Sequence, residues 1–259
     1  MEIFESHAHY DDEKFDNDRE EVINKVYTSG VTKIISAGYS LRGSKMSLEL
    51  SKIHSFIFSC IGISPNDINE NYKSNLEEIH KMLKENENNK KLVAVGEIGL
   101  DYHYDTDREV QKEVFIKQIE FANEFNLPIV IHTREAVMDT LKILKEHEVK
   151  RKGVFHCCPH NRELIKEGLK LGFYISFSGT CTFKNAHNAE ESVKMVPDDR
   201  FFVETDSPYL APEPVRGTRN DSRNLKYIIN KIAEYKNETP EEVAKESYDN
   251  ACNLYAIKE

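Results

Sequence analysis

The stretch Ile3-Phe4-Glu5-Ser6-His7-Ala8-His9-Tyr10-Asp11-Asp12 decides the fold. Its apolar start reads as a buried strand over residues 3–9, and the turn that follows contains no glycine. An open, doubly wound sheet normally carries a glycine-rich phosphate turn directly after its first strand, so this opening argues against that architecture. Seven more strand-like runs follow, at about residues 32–38, 56–63, 92–98, 128–133, 153–157, 173–178 and 201–206. Helical patterns separate them. Residues 19–29 put Val22, Ile23 and Val26 on one face, and residues 136–147 do the same with Val137, Leu141 and Leu144. Residues 108–124 carry Val110, Val114, Phe115, Ile119 and Ala122 at the same spacing. The last helix has a start signal in Thr239 as N-cap, Pro240 in the first turn and Glu242 completing the capping pattern. Eight strands alternating with eight or more helices are βα units with parallel strands. The economical closure is an α/β fold of the (β/α)8 barrel kind, one domain over residues 1–259 at about 32 residues per unit. No Pro- or Gly-rich linker divides the chain, and the polar run 85–91 reads as a solvated loop.

Charge limits what such a barrel can hold. With 35 Lys and Arg against 45 Asp and Glu, the net charge is −10. That disfavours a bulk electrostatic grip on nucleic acid, which needs many phosphates neutralised, but leaves a local contact open. No apolar run approaches the roughly 18 residues of a membrane span. Met1-Glu2-Ile3-Phe4-Glu5 has neither a basic region nor an apolar core of the signal-peptide kind. The five cysteines (Cys60, Cys157, Cys158, Cys181 and Cys252) form no CxxC pair, so a reducing compartment is expected. The resulting expectation is a cytoplasmic protein with no membrane partner, and a monomer is favoured.

In a (β/α)8 barrel chemistry gathers where the strands' C-terminal ends meet. The first strand ends in His7 and His9, the fourth in Glu97, the fifth in His132, the sixth in His156 and the eighth in Asp206. Residues two apart on a strand share a face, so His7 and His9 can address one ion. Four imidazoles and two carboxylates exceed what one tetrahedral ion needs and suit two divalent cations (Mg2+, Mn2+ or Zn2+), with Glu97 as the natural bridge. A single histidine is more often structural than a ligand; the coincidence of four at strand ends carries the expectation. His54, His80 and His147 fall in helical patterns and read as surface groups. His103, His160 and His187 fall in loops on the active face. Cys157 and Cys158 follow His156 and read as small buried hydrophobes rather than soft ligands.

Several of these segments resemble the TatD family of metal-dependent deoxyribonucleases. They are His7-Ala8-His9, Gly96-Glu97-Ile98-Gly99-Leu100-Asp101, Leu127-Pro128-Ile129-Val130-Ile131-His132-Thr133-Arg134, Phe155-His156-Cys157 and Glu204-Thr205-Asp206-Ser207-Pro208-Tyr209-Leu210-Ala211-Pro212, followed by Arg216-Gly217 and Arg219-Asn220. The resemblance runs the whole length of the chain. It implies a TIM barrel of the amidohydrolase type in which His7, His9 and Asp206 bind one metal, His132 and His156 the other, and Glu97 bridges. Many amidohydrolases use a carboxylated lysine at the fourth or fifth strand; no Lys stands at either position here. Three departures are visible. Glu5 stands where the family commonly has Asp, Gly62-Ile63-Ser64-Pro65-Asn66 lacks the family's usual histidine between Gly-Ile and Pro, and Cys158-Pro159-His160-Asn161 replaces a Ser-Gly turn.

The resemblance implies hydrolysis of DNA phosphodiester bonds by a metal-activated water, with Asp206 as general base and Glu97 in the catalytic centre. Arg134, Arg216 and Arg219 are the candidate substrate-binding cations, forming a local positive ring that the overall charge lacks. Such a mouth favours strand ends, hence 3′–5′ exonuclease action on single-stranded or frayed DNA. A second enzymatic reading is hydrolysis of another ester or amide at the same metals, such as a D-aminoacyl-tRNA, since fold does not fix substrate. A third, a binding or scaffold protein on a dead barrel, requires lost ligands, and all six are present.

Overall fold

The computed structural model describes residues 1–258. The alternation read from the sequence is realised as β1 (Ile3–Ala8), α1 (Arg19–Thr28), β2 (Val31–Ala37), α2 (Leu41–Ile53), β3 (Ile57–Ile61), α3 (Tyr72–Glu85), β4 (Leu92–Asp101), α4 (Arg108–Glu124) and β5 (Ile129–Arg134). It continues through α5 (Val137–Glu146), β6 (Gly153–Phe155), α6 (Arg162–Lys170), β7 (Tyr174–Phe177), α7 (Ala189–Met195), β8 (Phe201–Val203), α8 (Leu225–Lys236) and α9 (Pro240–Tyr255). The eight strands hydrogen-bond in sequence order, each parallel to the next, as a (β/α)8 TIM barrel requires. The start of α9 is the capping box expected there, with Thr239 Oγ1 accepting from Glu242 N–H and the Glu242 carboxylate accepting from Thr239 N–H at 2.8 Å.

Inside the barrel, Phe4, Ile35, Cys60, Ala94, Val130, Val154 and Phe202, one from almost every strand, form an apolar plug. The Tyr255 ring of α9 packs on Phe4 and Phe202, at 6.3 and 6.0 Å between centroids, and closes the plug at the strands' N-terminal end. A second, larger core of aliphatic and Phe side chains fills the layer between strands and helices. The open end that remains is the C-terminal one.

Every strand differs by a residue or more at one of its ends from the reading of the sequence, and the differences at β4, β6 and β8 bear on the site. β4 runs on to Asp101 because its ladder with β5 continues to the Asp101–Arg134 pair, so Glu97 lies inside the strand rather than at its end. β6 stops at Phe155 and β8 at Val203, because Cys157 (φ 40°) and Asp206 (φ 57°) adopt left-handed backbone that an extended strand cannot include. His54 and His147 end their helices as C-caps instead of lying within them. The polar run after residue 85 forms the turns that follow α3.

The seam between β1 and β8 is closed by the segment beyond β8. Asp206 N–H donates to His7 O (3.0 Å) and His9 N–H to Ser207 O (2.7 Å). Glu5, fully buried, staples the same seam: its Oε1 accepts from Thr205 N–H (2.9 Å) and His7 N–H (3.2 Å), and its Oε2 meets Thr205 Oγ1. Burial dominates this carboxyl and pushes its pKa from 4.5 up to about 8.

The sign of the consequence follows from linkage. Below pH 4.5 Glu5 is protonated in folded and unfolded chains alike; between 4.5 and about 8 only the unfolded chain releases the proton. Stability is therefore lost across that window, at up to about 1.4 kcal/mol per pH unit for this group. Gln at position 5 can keep the acceptor at Oε1 and donate to Thr205 Oγ1 from the other position, without titrating. In thermal denaturation of Glu5→Gln beside the native protein, the difference in Tm should shift in the variant's favour as pH rises from about 5 to about 8. Parallel Tm curves over that range would contradict the assignment.

Candidate metal centre

The ligands of the open end come from β1, β4 and β5 and from the segments that directly follow β1, β6 and β8. A register shift in the β1–β2 ladder between Glu5 and Ala8 leaves both His7 and His9 facing the barrel axis. A second shift, between Val95 and Ile98 on β4, accompanies the turning of Glu97 to the same centre. Close packing around it requires glycine on both sides. A Cβ on Gly96 would lie 2.7 Å from Val130 Cβ, and one on Gly99 (φ 142°) 2.0 Å from the His132 carbonyl oxygen. β4 and β5 thus approach closely enough to set His132 against Glu97.

The geometry is two pairs of imidazoles about one carboxylate. Glu97 Oε2 lies 3.3 Å from His7 Nε2 and 3.5 Å from His9 Nε2, while Oε1 lies 3.0 Å from His132 Nδ1 and 3.5 Å from His156 Nε2. Within each pair the facing nitrogens are 3.2 Å apart. Asp206 Oδ1 joins the first pair, 3.2 Å from His9 Nε2 and 3.8 Å from His7 Nε2. His7, His9, Glu97 and His156 are buried, whereas His132 and Asp206 are half-buried toward the mouth. All six side chains singled out in the sequence are brought together. They overlap in three groups able to hold an ion: His7, His9 and Glu97; Glu97, His132 and His156; His7, His156 and Asp206.

These residues fit divalent cations. Imidazole lone pairs aimed at one another over 3.2 Å repel unless a proton or a cation lies between them. Burial pulls His7 down, whereas at His9 the carboxylates of Asp206 and Glu97 overcome burial and push the pKa up to about 10. Glu97 is held well below the usual carboxylate range, against burial, by His156, His132 and His7. A buried carboxylate that stays ionised among neutral-capable imidazoles is a nitrogen and oxygen donor set suited to Zn2+, Mn2+ or Mg2+.

Outer partners fix which nitrogen faces inward. The peptide oxygen of Ala37 takes His9 Nδ1–H (2.7 Å), so Nε2 is free to point at the centre. Asp101 Oδ2 takes His132 Nε2–H (3.0 Å), which turns Nδ1 inward. His156 Nδ1 faces Glu204 Oε1 at 3.3 Å, and Glu204 is itself anchored by Cys157 N–H (2.6 Å). Asp101 and Glu204 stand inside the motifs quoted above, four residues after Glu97 and two before Asp206, yet sequence reading gave them no role. Glu204 lies past the end of β8 and Asp101 beyond the positive-φ Gly99 of β4, so strand alternation marks neither. Asp11, also missed, is buried 4.0 Å from His9 Nδ1, and burial pushes its carboxyl up to about 6.

The remaining candidates are placed less uniformly. Arg134 closes β5, is exposed, and lies 5.6 Å from the centroid of the Tyr104 ring. The Arg216 guanidinium lies 3.6 Å from the Phe183 ring centroid. Arg219 is engaged within the protein, donating to both Asp18 carboxylate oxygens at 2.8 and 2.6 Å. His103 pairs with Glu135 (2.9 Å), His187 is exposed, and His160 stacks parallel to Phe177 with neither ring nitrogen partnered among the described residues. Cys158 is buried, and Cys157 Sγ lies 3.1 Å from Ser178 Oγ; neither joins an ion-holding group. His80 pairs with Glu124 (3.0 Å) and His54 with Glu20 (3.1 Å) on the helical exterior.

Comparisons with known proteins find similarity over almost the whole chain. The family model described as TatD related DNase matches residues 4–256. The "Uncharacterized metal-dependent hydrolase YabD" of Bacillus subtilis is 41% identical, over 98% of this chain and 99% of its own. The "Uncharacterized metal-dependent hydrolase YcfH" of Escherichia coli K12 is 37% identical, over 99% and 97%. Among solved structures, the TatD homolog YJJV from Escherichia coli K12 superposes with a TM-score of 0.93 at 25% identity, covering 99% of this chain and 98% of that one.

Removing an outer partner should loosen the ligand it orients. Asp101→Ala is expected to weaken Mn2+ binding by about 10–100-fold in a calorimetric titration, with the far-UV circular dichroism of the native protein retained. Native affinity in that variant would show that Asp101 does not orient His132 for a cation.

Proposed function

This chain belongs to the TatD-related DNase family of metal-dependent hydrolases, and from that membership we propose that it is a divalent-metal-dependent deoxyribonuclease, a 3′–5′ exonuclease on single-stranded or frayed ends. The observation that carries the reading is Glu97 itself, whose two oxygens each face a separate pair of imidazoles. Two divalent cations bound there would lower the pKa of a water and offset charge on the phosphoryl oxygens.

The chain's own residues supply the rest. Against the upward pull of burial, His9 holds the Asp206 carboxyl below its usual range, so it remains an acceptor for the proton of the attacking water. Glu97 stays ionised and keeps the two imidazole pairs in register. Among the described residues Arg134, at the end of β5, and Arg216, beyond β8, have aromatic rings and not carboxylates as neighbours, which leaves them able to take phosphate oxygens. Arg219 would have to leave Asp18 to do the same. With a net charge of −10 the outer surface repels extended duplex, and a strand end reaching the metals is the mode of contact that remains.

One observation favours a second substrate class. Ser64, in place of the family's usual histidine, is buried and its Oγ accepts from Asn66 N–H (3.2 Å), so this position offers no cation to a phosphate. Another ester or amide, such as a D-aminoacyl-tRNA, would then be cut at the same centre. Rates on DNA and on D-aminoacyl-tRNA, measured side by side, separate the two.

The direct test is release of nucleotides from end-labelled single-stranded DNA with Mg2+ or Mn2+. Loss from the 3′ end is expected, abolished by chelation and restored by adding metal back. Glu97→Ala and Asp206→Ala should each lose at least about 100-fold in kcat. Equal cleavage by all three proteins would overturn the reading.

A further inference from the structure

Three side chains with large exposed apolar surface stand just beyond strand C-termini: Tyr104 (54% exposed), Met138 and Tyr209 (40%). Tyr209 is occupied within the protein. Its hydroxyl donates to Asp12 Oδ2 (2.6 Å), and the Lys14 ammonium covers its ring at 4.0 Å. Tyr104 differs, because among the described residues its hydroxyl has no hydrogen-bond partner and only His103 and Arg134 approach its ring.

The loop that carries Tyr104 is anchored at its root. Asp101, the carboxylate that orients His132, also accepts His103 N–H through Oδ1 (2.9 Å). Tyr102 N–H donates to Arg134 O (2.9 Å), and the Tyr102 hydroxyl donates to Asp139 (2.6 Å). Arg108 lies over the Tyr102 ring at 4.3 Å, and Asp107 caps α4 by accepting Glu109 N–H (2.8 Å). The exposed ring is therefore held on a pre-formed support, so seating a flat ligand on it costs little ordering entropy.

Residues 102–108, Tyr104 among them, line an open hollow of about 460 Å3. Its charged groups are engaged within the protein: Asp107 on the helix cap, Arg108 over Tyr102, and His103 with Glu135. Asp105 remains as a carboxylate that would repel a phosphate inside the hollow. What the hollow suits is a flat, uncharged group with hydrogen-bonding edges. Arg134, whose guanidinium lies 5.6 Å from the centroid of the Tyr104 ring, is two residues beyond His132. An aromatic face, a neighbouring guanidinium and a nearby metal centre together match a nucleotide: base on the ring, phosphate toward arginine and metals.

We propose that Tyr104, with Arg134 at its edge, is the platform on which one base of a single-stranded DNA end stacks while the adjoining phosphodiester reaches the metal centre. This rests on the deoxyribonuclease reading above and adds to it the element that grips the base. A stacked platform tolerates any base, so it confers affinity for unpaired nucleotides without sequence preference.

The test compares two single-stranded oligonucleotides, one bearing bases throughout and one abasic at its 3′-terminal nucleotides. KM is read in Mn2+ and equilibrium affinity by fluorescence anisotropy in Ca2+. Native protein should prefer the base-bearing strand by about tenfold. Tyr104→Ala should lose that preference with kcat little altered, and Tyr104→Phe should keep it. A purely structural role for the tyrosine would not discriminate the two strands. If the native protein cuts DNA and Tyr104→Ala keeps the preference, the platform is overturned and the deoxyribonuclease reading stands. If the native protein neither binds nor cuts either strand, both fall together.

Discussion

Everything at the open end of this barrel depends on one buried carboxylate shared between two pairs of imidazoles. A charge removed from water is tolerated only if it is paired and hydrogen-bonded. Glu97 meets that condition through His7 and His9 on one oxygen and His132 and His156 on the other. The same requirement explains the outward chain of partners. Each inward nitrogen needs its opposite nitrogen held, and Ala37 O, Asp101 and Glu204 do this for His9, His132 and His156. His7 is the exception, since among the described residues its buried Nδ1 has no partner, and its ring instead stacks on His156 at 3.9 Å.

The scaffold supports the centre by asymmetry between its two ends. At the N-terminal end an apolar plug under α9 provides the burial that stabilises the barrel. At the C-terminal end polar side chains replace it, and β1 and β8 no longer pair as a simple ladder. Glu5 and the Asp206–His7 backbone bond hold that seam, so the residues closing the barrel also deliver Asp206 to the candidate metal centre. Stability and chemistry are coupled at this point, and a longer acidic side chain at position 5 reaches across to Thr205 without displacing the ligands.

Much of this was legible in the sequence, and the parts that were not share a cause. Strand periodicity placed His7, His9 and His132 on the barrel axis, because alternation on a β-strand is a local property. The position of Glu97 was less legible: its residue type was visible, but its place inside β4 depends on a register shift against β5 and on the near contact of Gly99 with His132. Asp206 could be read as a strand end only because its left-handed backbone, which takes it off the ladder, leaves no mark in the apolar pattern. Arg219 was beyond reach, since its partner Asp18 is 201 residues away in the chain. Asp101 and Glu204 act through another side chain's far nitrogen, which only three-dimensional proximity reveals.

The claim on which the rest stands is that Glu97 bridges two divalent cations. Crystals grown with Mn2+ and measured at the manganese absorption edge test it directly. Two anomalous peaks about 3.5–4 Å apart are expected, one on each side of the Glu97 carboxylate, with His7, His9 and Asp206 on one and His132 and His156 on the other. A single peak, or a pair lying away from Glu97, would contradict it.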